Sequence, residues 1–367
     1  MFLVGGGWFF SSQIGSDALA VDADDSPDLE IEVVSVGEGT ITFVLGDEPE
    51  DDLVSDEILG VAWATGYGQV GSLIDQTDTS VERVFGHLTG EQVEVGDLVD
   101  LEGYAFPADA AGGLGIAVEE VRYSSPFGEF DAWYVPGTNN TWVVFVHGRG
   151  AHPRESFRPL PAVVEAGHPA LIIFYRNDVG QPETSDRRAG FGSTEWEDLD
   201  GAVQYAIDQG AENVVLYGLS MGGGVAVNFM FESDLADRIV GLILDAPALE
   251  LGAMVDARAD DTNLPLLPLR VPTPLTTVAK WLASVRYDID WDDLDYLDRA
   301  GELSVPILLF HGAMDDTVPV ELSDQLAETR PDLVTYLRFD DAGHVRSWNV
   351  DPVRYEQALT DFLVRVR

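Results

Sequence analysis

Gly218-Leu219-Ser220-Met221-Gly222 has the form G-x-S-x-G, and its flanks decide what it can do. The β-forming run Val214 to Tyr217 stands immediately before it, and a helical run with Val225, Ala226, Phe229 and Met230 follows. A sharp strand-to-helix turn of this kind lifts a serine hydroxyl above a sheet edge. Glycine on either side permits the strained backbone and the close approach of the helix. A serine hydroxyl is a poor nucleophile until a base takes its proton, so attack on a carbonyl through Ser220 requires a histidine.

Six histidines are present. His344 follows Gly343 between a strand run ending at Phe339 and a terminal helical run, which places it at the carboxyl edge of a sheet, where the serine also projects. His87 falls among short β runs, and His152 and His168 read as loop residues. The base must be held in one tautomer and its positive charge balanced by a carboxylate. Asp315 follows the strand run Ile307 to Phe310 and is the first choice, with Asp245 at the end of an earlier strand as the contender. Asp340 and Asp341 lie on the wrong side of His344. A tetrahedral intermediate needs two N–H donors. The amide of Met221 supplies one, and the loop His147-Gly148-Arg149-Gly150 the other, with the Arg149 amide preferred to that of Gly150. The Arg149 side chain reads more readily as a surface ion pair than as a grip on a substrate carboxylate.

From Gly112-Gly113 onward, strand and helix signals alternate, the sequence form of a mostly parallel sheet covered on both faces. Ile116 to Tyr123 and Glu129 to Val135 read as a leading antiparallel pair. Buried-strand runs follow at Trp142 to Val146, Ala170 to Tyr175, Val214 to Tyr217, Ile239 to Leu244, Ile307 to Phe310 and Val334 to Phe339. Thr194 with Glu197 predicts a capping box for a helix that Gly210 stops, and Asp351-Pro352 opens the last helix. Ahead of this lie β runs at Ile31 to Val36, Thr40 to Leu45, Gly60 to Thr65, Val81 to Phe85 and Leu98 to Gly103, a small all-β unit. The acidic run Gly46 to Asp52 reads as a solvated loop, since it lacks the spacing of a calcium site.

The expected organisation is therefore residues 1–30 as an apolar segment and acidic linker, 31–111 as an all-β domain, and 112–367 as an α/β domain. A segment at about 249–299 interrupts the strands as a lid, rich in proline and apolar residues from Leu264 to Leu282. Met1 to Phe10 is too short to span a bilayer, and Ala18-Leu19-Ala20 has a small-x-small pattern. Two readings follow: the remnant of an export or anchor segment, which is preferred and would make the chain exported or membrane-anchored, or an apolar arm folded onto the domain.

Residues from about 116 to 367 resemble the α/β-hydrolase superfamily. His147-Gly148, Gly218 to Gly222, His311-Gly312 with Asp315, and Gly343-His344 match its oxyanion strand, nucleophile elbow, acid loop and histidine loop, in the order Ser, Asp, His. The resemblance implies an α/β-hydrolase fold and a serine hydrolase of the esterase kind, with no cofactor and a small-molecule ester as its partner. Thioester or peptide cleavage by the same residues, and a non-catalytic binding protein, are the alternatives. The superfamily's motifs are nearly silent on substrate.

Composition narrows the field further. There is no cysteine, hence no disulfide, thiolate metal site or Cys nucleophile, and neither H-E-x-x-H nor a phosphate loop occurs. Asp plus Glu number 65 against 20 Lys plus Arg, with Lys280 the sole lysine, for a net charge of −45. Such a surface repels nucleic acid and anionic membranes. It serves solubility, and it also suits hydration in concentrated salt. If the second use is the operative one, the melting temperature rises between low salt and molar sodium chloride, because carboxylate repulsion is screened. A flat or falling curve would remove the halotolerant reading.

Overall fold

The computed structural model describes residues 2–21, 27–46, 51–264 and 270–366. In the first strands every second side chain turns inward, and the strands close on themselves. They are β1 (Ile31–Val36), β2 (Thr40–Val44), β3 (Leu59–Trp63), β4 (Gly66–Gln76), β5 (Ser80–Gly90) and β6 (Leu98–Glu102), a closed antiparallel barrel in the order β1-β2-β5-β4-β3-β6. Val33, Ile41, Phe43, Val61, Val70, Val81 and Val99 are fully buried in its core. The strand that the β runs do not announce is β4, where Gly66, Gly68 and Gly71 break up any β-forming stretch. Its space is filled from the facing strand, because a Cβ on Gly68 would collide with the Phe85 ring.

The second sheet has β7 (Glu119–Ser124), β8 (Glu129–Val135), β9 (Thr141–Val146), β10 (Ala170–Ile173), β11 (Asn213–Leu219), β12 (Ile239–Asp245), β13 (Ile307–Gly312) and β14 (Val334–Phe339). Its order is β14-β13-β12-β11-β9-β10-β8-β7. The β7–β8 and β8–β10 pairs are antiparallel and the rest parallel. Alternate residues of the central strands feed two separate cores. Val144, Val146, Val214 and Leu216 pack under the helices Trp196–Asp208 and Met221–Glu232. Val143, Phe145, Val215 and Tyr217 pack under Leu160–Glu165 and Pro352–Arg365. The strand order reverses at β9, which has β10 on one side and β11 on the other, so the loops after β9 and β11 open on a common crevice.

Helix ends follow the sequence in part. Gly210 stops the first of these helices with φ 107°, and the Asp351 carboxylate accepts from the Arg354 amide at 3.0 Å. The Thr194–Glu197 capping box does not form. Glu195 takes the amides of Gly190 (2.6 Å) and Gly192 (3.0 Å), while Glu197 turns to Arg176 at 3.1 Å. A guanidinium competes for the carboxylate better than an amide does. Gly112-Gly113, expected as a turn, lies within a short helix, Ala110–Leu114.

The N-terminal segment lies as an arm folded against the α/β domain. The helix Phe2–Gln13 packs against Thr273–Tyr287 in the segment between β12 and β13. Arg286 lies over the Trp8 ring and donates to the Trp8 carbonyl and to the Ser11 and Ser12 hydroxyls. Ile14 and Leu19 are buried in the main core, and the Ala189 amide donates to the Leu19 carbonyl at 2.8 Å. Among the described residues no helix is long and apolar enough to cross a membrane. Residues 22–26 of the acidic linker, 47–50 of the acidic run and 265–269 of the expected lid lie outside the described residues.

Candidate active site

Ser220 stands between β11 and the helix Met221–Glu232 with φ 51° and ψ −119°. A non-glycine residue is held there only when its surroundings over-determine it. Here the Ser220 amide donates to the Asp245 carbonyl, and the Ser220 carbonyl accepts from Gly223 and Ala248, each at 2.9 Å. A Cβ on Gly222 would collide with the Val146 carbonyl, and one on Gly218 with that of Gly222. The two glycines of the pentapeptide are thus required by packing on β9 and on the helix.

The loops after β13 and β14 bring two more of the expected residues to this turn. His344 Nε2 lies 2.8 Å from Ser220 Oγ, and its Nδ1 lies 2.7 Å from Asp315 Oδ2. The imidazole protonated on Nδ1 satisfies both contacts, donating to the carboxylate and accepting from the hydroxyl. The Asp315 side chain is fully buried. Burial alone would raise its pKa. Hydrogen bonds from His311 and His344, the charge of His344 and the Val318 amide reverse this and hold it well below the usual carboxylate range. His311 is a residue whose part sequence reasoning missed: its Nε2 lies 3.1 Å from Asp315 Oδ2, while its Nδ1 meets Ser323 Oγ at 2.6 Å. A histidine four residues before an aspartate at a strand end was the signal available.

The competing carboxylates are not brought to His344. Asp245 ends β12 facing away, where it accepts from Tyr355 Oη at 2.8 Å. Its Oδ1 has no hydrogen-bond partner among the described residues. Burial pushes its pKa up to about 6. Asp340 and Asp341 are exposed.

Gly148 faces the serine closely enough that a Cβ on it would lie 3.1 Å from Ser220 Cβ. The Gly148 amide is already taken by Glu155 Oε2 at 3.1 Å. The amides of Arg149 and Met221 have no acceptor among the described residues. This loop is fixed from beneath. Tyr175 Oη donates to the carbonyls of His147 (3.0 Å) and Gly148 (3.1 Å). His147 stacks on the Tyr175 ring, with its Nε2 2.9 Å from Asp178. Burial by itself would lower the pKa of His147, yet the Asp178 carboxylate outweighs it and the net shift is upward. No local pattern marks Glu155, Tyr175 or Asp178, which lie up to 31 residues from their partners. The Arg149 side chain makes no ion pair among the described residues, against the surface pair expected. It donates instead to the Ala20 carbonyl at 2.5 Å, pinning the N-terminal arm, and burial lowers its pKa.

Ser220, Met221 and His344 open on a cavity of 740 Å³. Phe9, Phe10 and Ile14 of the arm line it, with Phe191, and with Leu251, Met254, Val255 and Ala279 from the inserted segment. Trp281, within the expected lid, points instead to solvent.

Residues 143–358, more than half of the chain, match the sequence model of the Alpha/beta hydrolase family. The chain belongs to that family. Solved structures share the fold. One is an esterase of Pyrococcus furiosus, at TM-score 0.56 and 20% identity over 71% of this chain and 97% of that one. A thermophilic esterase of Thermogutta terrifontis follows at 0.50 and 23%, over 68% and 99%. A puromycin-hydrolyzing peptidase of Mycobacterium tuberculosis aligns at 0.54 and 18%, over 92% of this hydrolase and 54% of its own chain. No curated protein sequence matches.

The state of Asp245 is open to measurement. Its folded pKa of about 6 lies above the unfolded carboxyl value of 3.8, so raising the pH through that interval removes stability from the wild type. Asp245→Asn escapes this loss. The melting temperature of the variant relative to wild type should climb between pH 4 and pH 7, by an amount equivalent to about 2–3 kcal/mol at most. A difference constant across that range would show that the buried carboxyl does not resist ionisation.

Proposed function

We propose that this hydrolase cleaves carboxylic esters through an acyl-enzyme on Ser220. The observation that carries the reading is the continuous hydrogen-bonded line from Ser220 Oγ through His344 to the buried Asp315. In this reading His344 Nε2 takes the serine proton as Oγ attacks the ester carbonyl, and Asp315 balances the imidazolium. The Met221 and Arg149 amides receive the developing oxyanion. The protonated imidazole then gives its proton to the departing alkoxide, and water enters by the same route in reverse to release the acid.

Two of the structural neighbours named above are esterases, which supports this choice, and one is a peptidase. An alkoxide leaves more readily than an amine, whose departure demands well-placed protonation. An apolar cavity next to the serine favours an acyl group of some bulk. The acidic surface supports work in concentrated salt.

On nitrophenyl esters of increasing acyl length, Ser220→Ala should be inactive where the wild type turns over. A burst of nitrophenol is expected wherever deacylation is the slower step. Asp315→Asn should lower kcat by about 10³–10⁴-fold, since the imidazole loses the partner that fixes its tautomer, and Asp245→Asn should change it little. Equal rates for Ser220→Ala and wild type would sink the assignment. Activity on thioesters or peptides alone would promote that chemistry instead.

The cavity wall gives a separate expectation. Phe10→Ala should shift the ratio of kcat/KM for long against short acyl chains by about tenfold, the scale of one apolar contact in a pocket. An unchanged ratio would mean that the acyl group does not reach the arm.

A further inference from the structure

The loop carrying His344 is strained at the residue after it. Val345 is buried, with φ 52°, and a β-branched side chain adopts that conformation only under constraint. The constraints converge from the N-terminal barrel. Arg346 reaches Glu57 Oε2 at 3.0 Å and Asp52 Oδ2 at 3.1 Å, in pairs that are at most one-third exposed. Asn349 Nδ2 donates to the carbonyls of Ile58 (2.6 Å) and Gly103 (2.9 Å), and the Ile58 amide donates back to the Asn349 carbonyl at 2.9 Å. Arg158 Nη1 completes the joint, donating to the Val345 carbonyl (2.6 Å), Asn349 Oδ1 (2.8 Å) and the Gly103 carbonyl (3.2 Å).

The barrel side of the joint is itself braced. Arg83, fully buried among the strands, donates to the Asp52 and Glu57 carbonyls at 2.6 and 2.5 Å, which fixes the loop presenting both carboxylates. Gly103 leaves room for the guanidinium, because a Cβ there would come within 2.6 Å of Arg346 Nε.

We propose that the β-barrel is a positioning module for the histidine loop, with Arg346 as the positioning residue that transmits it. The inference rests on the reading of His344 as the general base. The Asp52 and Glu57 carboxylates hold Arg346, the Ile58 and Gly103 carbonyls hold Asn349, and Arg158 holds the carbonyl of the strained residue between them and His344. The imidazole is thereby kept at hydrogen-bond distance from Ser220. Loosening the clamp costs turnover, since proton transfer depends steeply on that geometry. It leaves ester binding alone, because none of these residues lines the cavity.

In the full-length protein, Arg346→Ala should lower kcat tenfold or more with KM within twofold of wild type. Labelling of Ser220 by a fluorophosphonate should slow by a similar factor. Arg346→Lys should recover part of the loss. The near-isosteric double variant Asp52→Asn with Glu57→Gln should reproduce it, and adding Arg346→Ala to that pair should bring no further drop. Circular dichroism and melting curves establish that each variant is folded, and if Arg346→Ala is not, the double variant carries the same comparison. A folded variant with a lowered melting temperature and wild-type kcat would overturn the proposal, as would full additivity of the two halves. Failure of the underlying reading looks different: the wild type itself then turns over no ester and takes no label on Ser220.

Discussion

The backbone of Ser220 is the constraint on which the rest of the site depends. Its φ of 51° is a conformation that costs on the order of 1–3 kcal/mol for a residue with a side chain. It persists because the turn is wedged between neighbours that cannot move apart. The Gly222 backbone lies against the Val146 carbonyl, so the helix after Ser220 and the end of β9 are in direct contact. That contact brings the Gly148–Arg149 loop, which leaves β9, beside the serine. The tight turn and the neighbouring amide donors are therefore products of one packing arrangement, and a larger residue at either glycine would disturb both.

Two buried aspartates at the ends of adjacent strands show what decides the charge of a carboxyl in this interior. Asp315 receives donors from His311 and His344 and from the amides of Thr317 and Val318. Asp245 has the Tyr355 hydroxyl and an oxygen with no partner among the described residues. Burial acts on both in the same direction, and the hydrogen-bond donors together with the charge of His344 separate them. Reading the sequence for an acid near a strand end finds both positions. It ranks them by chain order, while the physical distinction lies in side chains contributed by His311 and by the last helix.

What was legible in the sequence is what local pattern encodes. The β11 run, the pentapeptide and the following helix are contiguous, so the turn at Ser220 could be drawn from period and glycine spacing. The strand β4 could not, because its glycines are complemented by Trp63 and Phe85 of the neighbouring strands and leave no β-forming run of their own. The spacing of Glu197 fits a cap, but its carboxylate is captured by Arg176, which comes close only after folding. The arm Phe2–Gln13 is apolar up to Phe10 with no helical stripe, so periodicity assigns it no face and no partner. In each case the deciding partner lies far along the chain.

The distribution of cations makes these long-range joints chemically distinctive. With 65 carboxylates and 20 basic residues, most acidic side chains have no partner of opposite sign. Several arginines withdrawn from solvent lie where parts of the chain meet: Arg154 forks onto Glu102 of the barrel, Arg158 links the barrel to the histidine loop, and the half-buried Arg149 holds the arm. Dissolved ions screen the exposed carboxylates and pairs such as Arg122–Asp131. They do not reach Arg158, which is 3% exposed and bonded largely to carbonyls. Surface repulsion thus varies with ionic strength, whereas the Arg158 contacts between the barrel and the histidine loop are shielded from it. An acidic surface and a geometrically demanding site can coexist here because their electrostatics are kept in separate dielectric regions.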